Sequence, residues 1–134
     1  MHDLVIIGGG PAGLCAGIYA QRARLDTVLV EKQMLGGQIA LSDVIENYPG
    51  FPSISGSALM EKFEEHAKGL ELPVRYLEVH NITLDGKAKV LQTSEGEIRA
   101  KSVIIATGAR PRRLGVPGEV ELTGKGVSYC ATCD

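Results

Sequence analysis

The sequence lacks any long hydrophobic run. The longest one near the N-terminus, LVIIGGG, breaks into glycines after four apolar residues. It is too short for the core of a secretory signal or for a membrane span, and it is typical of a folded strand. We therefore expect a cytoplasmic protein that does not enter a membrane.

The sequence also lacks an excess of either charge. Fourteen basic side chains stand against sixteen acidic ones, which gives a formal net charge of −2, and neither sign forms a long run. This pattern does not predict a nucleic-acid surface or a polybasic membrane patch. Small molecules or proteins are the expected partners.

Cysteine is scarce as well. The chain has three, an odd number at uneven spacing, which argues against the disulfide framework of a small secreted protein. What the sequence does have is 44% hydrophobic residues over 134 positions, enough to bury one ordinary core.

The first thirty residues predict a strand, a turn, a helix and a second strand. Leu4 to Ile7 is a short β-branched run of the kind buried in parallel sheets, and Thr27 to Val30 is another. Leu14 and Ile18 have helical spacing between them. The fold class is therefore α/β, beginning with one βαβ unit, and Cys15 is predicted to be a buried core thiol of its helix.

The middle of the chain predicts an ordered loop, then an amphipathic helix. MLGGQIALSDVIENYPGFPSISG is rich in turn residues, whereas SALMEKFEEHAKGL has its apolar residues on one face. Ser57 is the expected N-cap of that helix.

From Pro73 onward the pattern changes to short strands. Asp85-Gly86 and Glu95-Gly96 are hairpin signals, so we expect a small antiparallel meander. A returning buried strand is predicted at Ser102 to Ala106. The glycine-, proline- and charge-rich stretch that follows is typical of a segment crossing between two domains.

The glycine turn is the most informative early motif. Gly8, Gly10 and Gly13 form GxGxxG between a predicted strand and a predicted helix, and Glu31 ends the next strand about 20 residues on. In this context the pattern favours a dinucleotide site: glycines admit a pyrophosphate, and the acidic side chain accepts hydrogen bonds from ribose hydroxyls. Glu31 would also repel a 2′-phosphate, so the site suits FAD or NAD better than NADP.

Two further elements are weaker on their own. Gly36-Gly37-Gln38 permits close contact with a flat ligand, but a double glycine is more often an ordinary turn, and the same holds for Asn47 in ENYPGF. Three arginines, Arg110, Arg112 and Arg113, are interpreted as a solvated loop cluster and given no site.

Cys130 and Cys133 form a CxxC at the end of the sequence, followed by Asp134. One CxxC supplies two of the four ligands that a structural zinc site needs, which favours a redox disulfide, although two structural thiols remain an alternative. A carboxyl beside a dithiol can exchange protons with it, but from the CxxCD pattern alone a solvated Asp134 is the favoured interpretation.

Taken together, these motifs resemble a known family. GGGPAGLCAGIYAQRA, VEK, GGQIA, ENYPGF, VIIATGARPRRLGVPGE and GKGVSYCATCD are similar, in order and spacing, to the N-terminal part of low-molecular-weight thioredoxin reductases. These are FAD- and NADPH-dependent members of the pyridine nucleotide-disulfide oxidoreductases. The resemblance implies a Rossmann-like, three-layer FAD-binding domain with a parallel sheet and a β-meander crossover, here incomplete.

The resemblance also implies roles for individual residues. The FAD pyrophosphate would lie on Gly8, Gly10, Pro11, Ala12 and Gly13. The adenosine would be bound by Glu31, Lys32 and Val79. The flavin side and the ATG turn near the cofactor would be formed by Gly37, Gln38, Asn47, Ala106, Thr107 and Gly108.

The implied catalytic residues are Cys130, Cys133 and Asp134. Electrons would pass from NADPH to FAD, then to the Cys130-Cys133 disulfide and on to thioredoxin. Cys130 would attack the thioredoxin disulfide, Cys133 would lie nearer the flavin, and Asp134 would protonate a leaving thiolate. A homodimer, formed largely through the FAD domain, is expected as well.

The sequence departs from this family in length. Residues 1–114 correspond to the first part of the FAD domain, and residues 115–134 to the crossover and the start of the NADPH domain that carries the CxxC. A second GxGxxG and a closing GD segment are absent from the sequence, so we expect these 134 residues alone to be an inactive fragment. Three alternatives remain: a flavoprotein subunit of a peroxide-reducing or other-donor system, a non-catalytic nucleotide-binding module, and a structural module with an inert CxxC.

Overall fold

The computed structural model describes residues 1–130. Two α-helices and one 3-10 helix accompany a sheet in this part of the chain. The elements in chain order are β1 (His2–Ile7), α1 (Pro11–Arg22), β2 (Thr27–Glu31), the 3-10 helix (Gly37–Leu41), α2 (Gly56–Gly69), β3 (Val74–Tyr76), β4 (Val79–Asp85), β5 (Ala88–Thr93) and β6 (Gly96–Ile105).

The six strands form one mixed sheet in the order β3-β2-β1-β6-β5-β4. Strands β1, β2 and β3 are parallel, whereas β4, β5 and the first half of β6 are an antiparallel meander. The predicted α/β fold with a parallel sheet and a meander is therefore confirmed. The predicted turns at Asp85-Gly86 and Glu95-Gly96 lie between the strands of the meander.

Strand β6 joins the two parts of the sheet. Its first half pairs antiparallel with β5 and its second half pairs parallel with β1, and Ala100 has a partner on both sides. The separate returning strand expected at Ser102 to Ala106 is thus the end of a longer strand. The prediction that this end is buried is wrong for Ile104 and Ile105, which are 39% and 68% exposed.

Alternation along the parallel strands builds two cores on opposite faces of the sheet. Leu4, Ile6 and Leu29 point to the face covered by α1 and α2. Val5, Val28 and Val30 point to the other face, where meander residues including Leu91 and Ile98 pack against them. The helices cover one face of the parallel strands and the meander packs over the other face, which gives three layers although all six strands belong to one hydrogen-bonded sheet. Burial on both faces explains the continuous apolar runs of β1 and β2.

The loop between β2 and α2 is ordered, as expected. It contains the 3-10 helix and an isolated antiparallel bridge between Ile45 and Ile54. Ile45 is buried with Leu59 and Met60 of α2 in a third small cluster. The loop is thereby fixed against the helix that follows it.

Two local predictions are wrong. The N-cap of α2 is Ser55, whose hydroxyl accepts a hydrogen bond from the Ala58 amide at 3.2 Å, whereas Ser57 lies inside the first turn. Cys15 is exposed rather than buried. The buried stripe of α1 runs through Gly13, Leu14, Gly17 and Ala20, and the position after Leu14 is rotated by about 100° away from it.

Neither helix of the described residues is both long and apolar enough to cross a membrane.

Candidate functional site

The glycine turn between β1 and α1 has one closed side and one open side. A Cβ on Gly13 would lie 1.8 Å from the Gly8 carbonyl oxygen, and one on Gly8 would lie 2.3 Å from the Ala106 carbonyl oxygen. Gly8 also has φ of +107°, which favours glycine. A Cβ on Gly10, by contrast, would have nothing nearer than the Gly37 Cα at 3.9 Å.

The open side coincides with the start of α1. The first intrahelical bond runs from the Leu14 amide to the Gly10 carbonyl at 2.9 Å, so the amides of Ala12 and Gly13 precede the hydrogen-bonded ladder. Pro11 is the first residue of the helix, where it has no helical bond to lose. Amide donors at a helix N-terminus are suited to an anionic group such as a phosphate.

Glu31, at the end of β2, is held against this turn. One carboxylate oxygen accepts a hydrogen bond from the Gly9 amide at 2.7 Å, and the other accepts one from the Gln33 amide at 2.9 Å. The side chain is half-buried, so each oxygen keeps lone pairs for hydroxyl donors on its open side. Sequence reasoning missed Gly9, whose amide fixes the orientation of the carboxylate.

The carboxyl ends of β1, β2 and β6 surround one cavity of about 340 Å³. Its lining brings together six residues that were predicted to bind the cofactor: Gly8, Glu31, Lys32, Val79, Thr107 and Gly108. A crevice outside the carboxyl ends of parallel strands is where open α/β sheets bind their ligands. Ala106 lies beside the cavity, with its amide donating to the Ile7 carbonyl at 2.8 Å.

Charges of both signs line the cavity. Lys32 and Glu78 form an ion pair at 3.7 Å, and both are partly exposed. Arg110 is exposed, as predicted for a solvated cluster, and it also lines the cavity. Its position just after the carboxyl end of β6 was the available signal, since that edge of the sheet is where ligands bind.

The GGQ segment is anchored to the same turn. The Gly36 amide donates to the Gly9 carbonyl at 2.8 Å, and the Gln38 side-chain amide donates to the Ala109 carbonyl, next to the ATG turn. Gly37 has φ of +61°, and a Cβ there would lie 3.2 Å from the Gly10 Cα. Asn47 lies apart, in an exposed loop with its own shallow hollow.

These residues fit the ADP part of a dinucleotide. The glycine turn is open where a pyrophosphate would approach, amide donors stand beside it, and an acidic acceptor faces the cavity. A β-carbon at Gly10 would project into the space between the turn and Gly37. Glycine at this position therefore leaves room that a ligand can use.

The segment after β6 is a series of turns with one buried carboxylate. Glu119 is 4% exposed and accepts hydrogen bonds from the amides of Leu114 and Gly115 and from the Tyr129 hydroxyl, at 2.9, 2.7 and 2.5 Å. The bond from Tyr129, followed by those from the amides, holds the pKa of Glu119 below its ordinary value. The same bond, with burial, raises the pKa of Tyr129.

Cys130 is the last described residue, and its amide donates to the Ser128 hydroxyl at 3.2 Å. Cys133 and Asp134 lie outside the described residues. All the residues that line the cavity beside the glycine turn precede Pro111, so Cys130 is not among them. Within residues 1–130, no three His, Cys, Asp or Glu side chains are grouped as metal ligands.

Comparison with known proteins is consistent with this geometry. The chain is 50% identical to a thioredoxin reductase of Peptoclostridium acidaminophilum over 100% of its length and 43% of that relative. The crystal structure of Lactococcus lactis thioredoxin reductase superposes with a TM-score of 0.87 at 45% identity, covering 100% of this chain and 44% of that one. A ferredoxin-flavin thioredoxin reductase of Clostridium acetobutylicum superposes with a TM-score of 0.79 at 38% identity, covering 99% and 46%.

The chain thus spans less than half the length of the relatives it matches. The sequence pattern of the family described as pyridine nucleotide-disulphide oxidoreductase matches residues 2–134, nearly the whole chain. On that match and on these relatives, the chain belongs to the pyridine nucleotide-disulphide oxidoreductase family.

Proposed function

We propose that this chain is the N-terminal part of a thioredoxin reductase, which moves electrons from NADPH through FAD and a Cys130-Cys133 disulfide to thioredoxin. The observation that carries the proposal is that one cavity is lined by Gly8 of the glycine turn, by Glu31 and Val79, and by Thr107 and Gly108 of the ATG turn. Such a site, in a chain 50% identical to a thioredoxin reductase, is the expected FAD site of this family.

The residues of the glycine turn bind the FAD pyrophosphate. Gly10 lets the backbone approach it, and the amides at the start of α1 donate to it. Glu31 accepts hydrogen bonds from the adenosine ribose hydroxyls, and the Gly9 amide keeps its carboxylate in place for that role. Lys32 and Val79 line the same cavity around the adenosine.

The flavin side of the site is assigned to Gly37 and Gln38, which are joined to the ATG turn, and to Asn47, which lies in a separate exposed loop. The bond from Gln38 to the Ala109 carbonyl joins the GGQ segment to the ATG turn, so the two segments act as one wall. When bound, the flavin supplies the ability to accept a hydride and to deliver two electrons to a disulfide. The chain contributes the binding and the orientation.

The dithiol acts by thiol-disulfide exchange. The Cys130 thiolate attacks one sulfur of the thioredoxin disulfide and forms a mixed disulfide, and Asp134 protonates the thiolate that leaves. Cys133 then attacks the Cys130 sulfur, which closes the Cys130-Cys133 disulfide and releases the second thioredoxin sulfur. Thioredoxin is reduced by two electrons, and the enzyme pair is oxidised by two.

The domain assignment belongs to the same proposal. Residues 1–114 are the first part of the FAD domain, and residues 115–134 are the crossover and the opening of the NADPH domain. The protein is expected to be a cytoplasmic homodimer assembled largely through the FAD domain. The 134 residues alone are expected to lack reductase activity, because they contain one GxGxxG and no GD segment.

The coding sequence after Asp134 and an activity assay test the proposal together. We expect the downstream sequence to contain a second GxGxxG and a later GD segment, and the longer product to oxidise NADPH when given oxidised thioredoxin. The 134-residue chain with added FAD should show no turnover. A stop codon directly after Asp134, or clear turnover by the short chain, would contradict the fragment proposal.

A second candidate changes only the electron donor. One structural relative is a ferredoxin-flavin thioredoxin reductase, and this chain covers 46% of it. Assays of the longer product with NADPH, NADH and reduced ferredoxin, each with the same thioredoxin, separate the donors. Turnover with ferredoxin alone would replace NADPH in the proposal and leave the FAD site unchanged.

A further inference from the structure

Glu119 is a buried carboxylate outside the nucleotide site. It is one of two buried polar or charged residues in the described chain, and the other is a threonine in β2. One carboxylate oxygen accepts hydrogen bonds from the Leu114 amide and the Tyr129 hydroxyl, and the other accepts one from the Gly115 amide. Buried carboxylates are rare without such partners, since loss of hydration has to be offset.

The hydrogen bonds to Glu119 join two parts of the crossing segment. They connect Leu114 and Gly115, where the chain leaves the sheet domain, with Tyr129, the residue directly before Cys130. The Thr123 hydroxyl donates to the Glu119 carbonyl at 2.6 Å, and Thr123 pairs with Val127 in a bridge. The turns between 115 and 129 are therefore organised around one side chain.

We propose that Glu119 is a positioning residue for the dithiol, acting through Tyr129 to fix how Cys130 is presented to Cys133. The inference rests on the proposed function, because it assigns Glu119 to the redox pair of that function. Cys130 follows Tyr129 directly, and its amide bonds to the Ser128 hydroxyl. The backbone at Cys130 is thus restrained on its N-terminal side by one side-chain anchor and one local turn.

A positioning role differs from a structural one in what it does to the disulfide equilibrium. A hydrogen bond that only stabilises the fold stabilises the oxidised and reduced forms alike, so it raises the unfolding midpoint and leaves the equilibrium with glutathione unchanged. A bond that holds Cys130 in the orientation needed for ring closure raises the effective concentration of the two thiols toward each other. It therefore favours the disulfide.

The test uses the 134-residue chain with Cys15→Ser, which removes an exposed thiol outside the CxxC. Tyr129→Phe removes the hydroxyl and keeps the ring, and Glu119→Ala removes the carboxylate. The variant with both substitutions completes a double-mutant cycle, which measures whether the two residues act through each other. Glu121→Gln, at an exposed position two residues away, is the matched control. Each variant is equilibrated with reduced and oxidised glutathione, and the dithiol and disulfide forms are counted by mass spectrometry after alkylation.

We expect Tyr129→Phe and Glu119→Ala each to lower the equilibrium constant for disulfide formation by at least about threefold. The equilibrium constant of the double variant should equal that of the more affected single variant, because both substitutions break the same hydrogen bond. The alkylation rate of Cys130 in the reduced chain should rise in the same variants. The Glu121→Gln control should match the parent in both measurements.

Unchanged equilibrium constants and alkylation rates in Tyr129→Phe, with a lower unfolding midpoint, would overturn the inference and leave Glu119 a structural residue. Additive effects of the two substitutions would also overturn it, because Glu119 would then not act through Tyr129. If Glu119→Ala does not fold, Tyr129→Phe decides the result alone. A parent chain that forms no disulfide at any glutathione ratio would count against the proposed function, while the alkylation rates would still decide the role of Glu119.

Discussion

At the scale of single residues, the glycines of GxGxxG differ in what surrounds them. Gly13 lies where a side chain would collide with the Gly8 backbone, whereas a Cβ on Gly10 would have no atom nearer than the Gly37 Cα at 3.9 Å. Sequence spacing assigns Gly13 to the packing of strand and helix and Gly10 to the approach of a pyrophosphate. The close contact at Gly13 agrees with the first role, and the second stays a prediction. Spacing alone did not reveal Gly9, whose role depends on where the Glu31 carboxylate ends up in space.

Gly13→Ala is expected to destabilise the fold. Its Cβ would stand 1.8 Å from a backbone oxygen, so β1 and α1 must move apart, at a cost of about 3 kcal/mol or more. Urea unfolding of the 134-residue chain measures the loss. Gly69→Ala in α2 is the control, because nothing lies within 4 Å of its Cβ, and we expect no loss there. Equal stability of Gly13→Ala and wild type would contradict the packing role.

Gly10→Ala is expected to leave the free energy of unfolding unchanged and to weaken the binding of FAD or ADP. Its φ of −74° suits alanine, and its Cβ would meet only the Gly37 Cα at 3.9 Å. The unfolding free energy should stay within about 0.5 kcal/mol of wild type. Affinity for FAD or ADP, measured by titration calorimetry, should fall at least about tenfold, equal to about 1.4 kcal/mol. Undiminished affinity would place the pyrophosphate elsewhere.

At the scale of elements, prediction succeeded where one local pattern decides the structure. Strands β1 and β2 and helix α1 follow from apolar periodicity and the glycine turn. Strand β6 was divided into two because its pairing changes from antiparallel to parallel at Ala100, and that change is set by tertiary contacts. Cys15 and Ser57 were misplaced for a similar reason: a shift of one or two residues changes a helical face or a cap.

The crossing segment held by Glu119 should lose stability in acid. Because the folded-state pKa of Glu119 is lowered, its contribution is fully present above the ordinary carboxyl pKa of about 4.3 and disappears as pH falls through the folded value. The stability difference between wild type and Glu119→Gln should therefore be constant from pH 7 to about pH 5 and shrink below about pH 4.

Urea unfolding across that pH range measures this difference. Glu121→Gln serves as the comparison, since exposed charges contribute little to stability and this variant should follow wild type throughout. A Glu119→Gln difference that is independent of pH down to pH 2 would show that the carboxylate is not the source of the stabilisation.

At the scale of the whole molecule, the sequence assigned residues from several local motifs to one site. Gly8, Glu31, Val79, Thr107 and Gly108 line one cavity, and their roles toward a cofactor stay predictions. Glu119 was missed, because a charged residue in a loop looks solvated until the fold shows what surrounds it. Arg110 lines the cavity, and Glu119 is buried by turns that have no sequence periodicity.

The second half of β6 makes self-association of the 134-residue chain an expected property. Pairing with β5 ends at Ala100, so among the described residues the edge of Lys101–Ile105 that faces away from β1 has no strand beside it, and Ile105 is 68% exposed there. Unpaired edges with apolar side chains recruit other strands, and a lysine on the edge opposes this.

Ile105→Lys should therefore reduce the fraction of particles larger than a dimer. Met34→Lys, which adds the same charge at an 82% exposed loop position, should not. Light scattering at rising protein concentration measures both, and an equal reduction by the two variants would attribute the effect to net charge rather than to the strand edge.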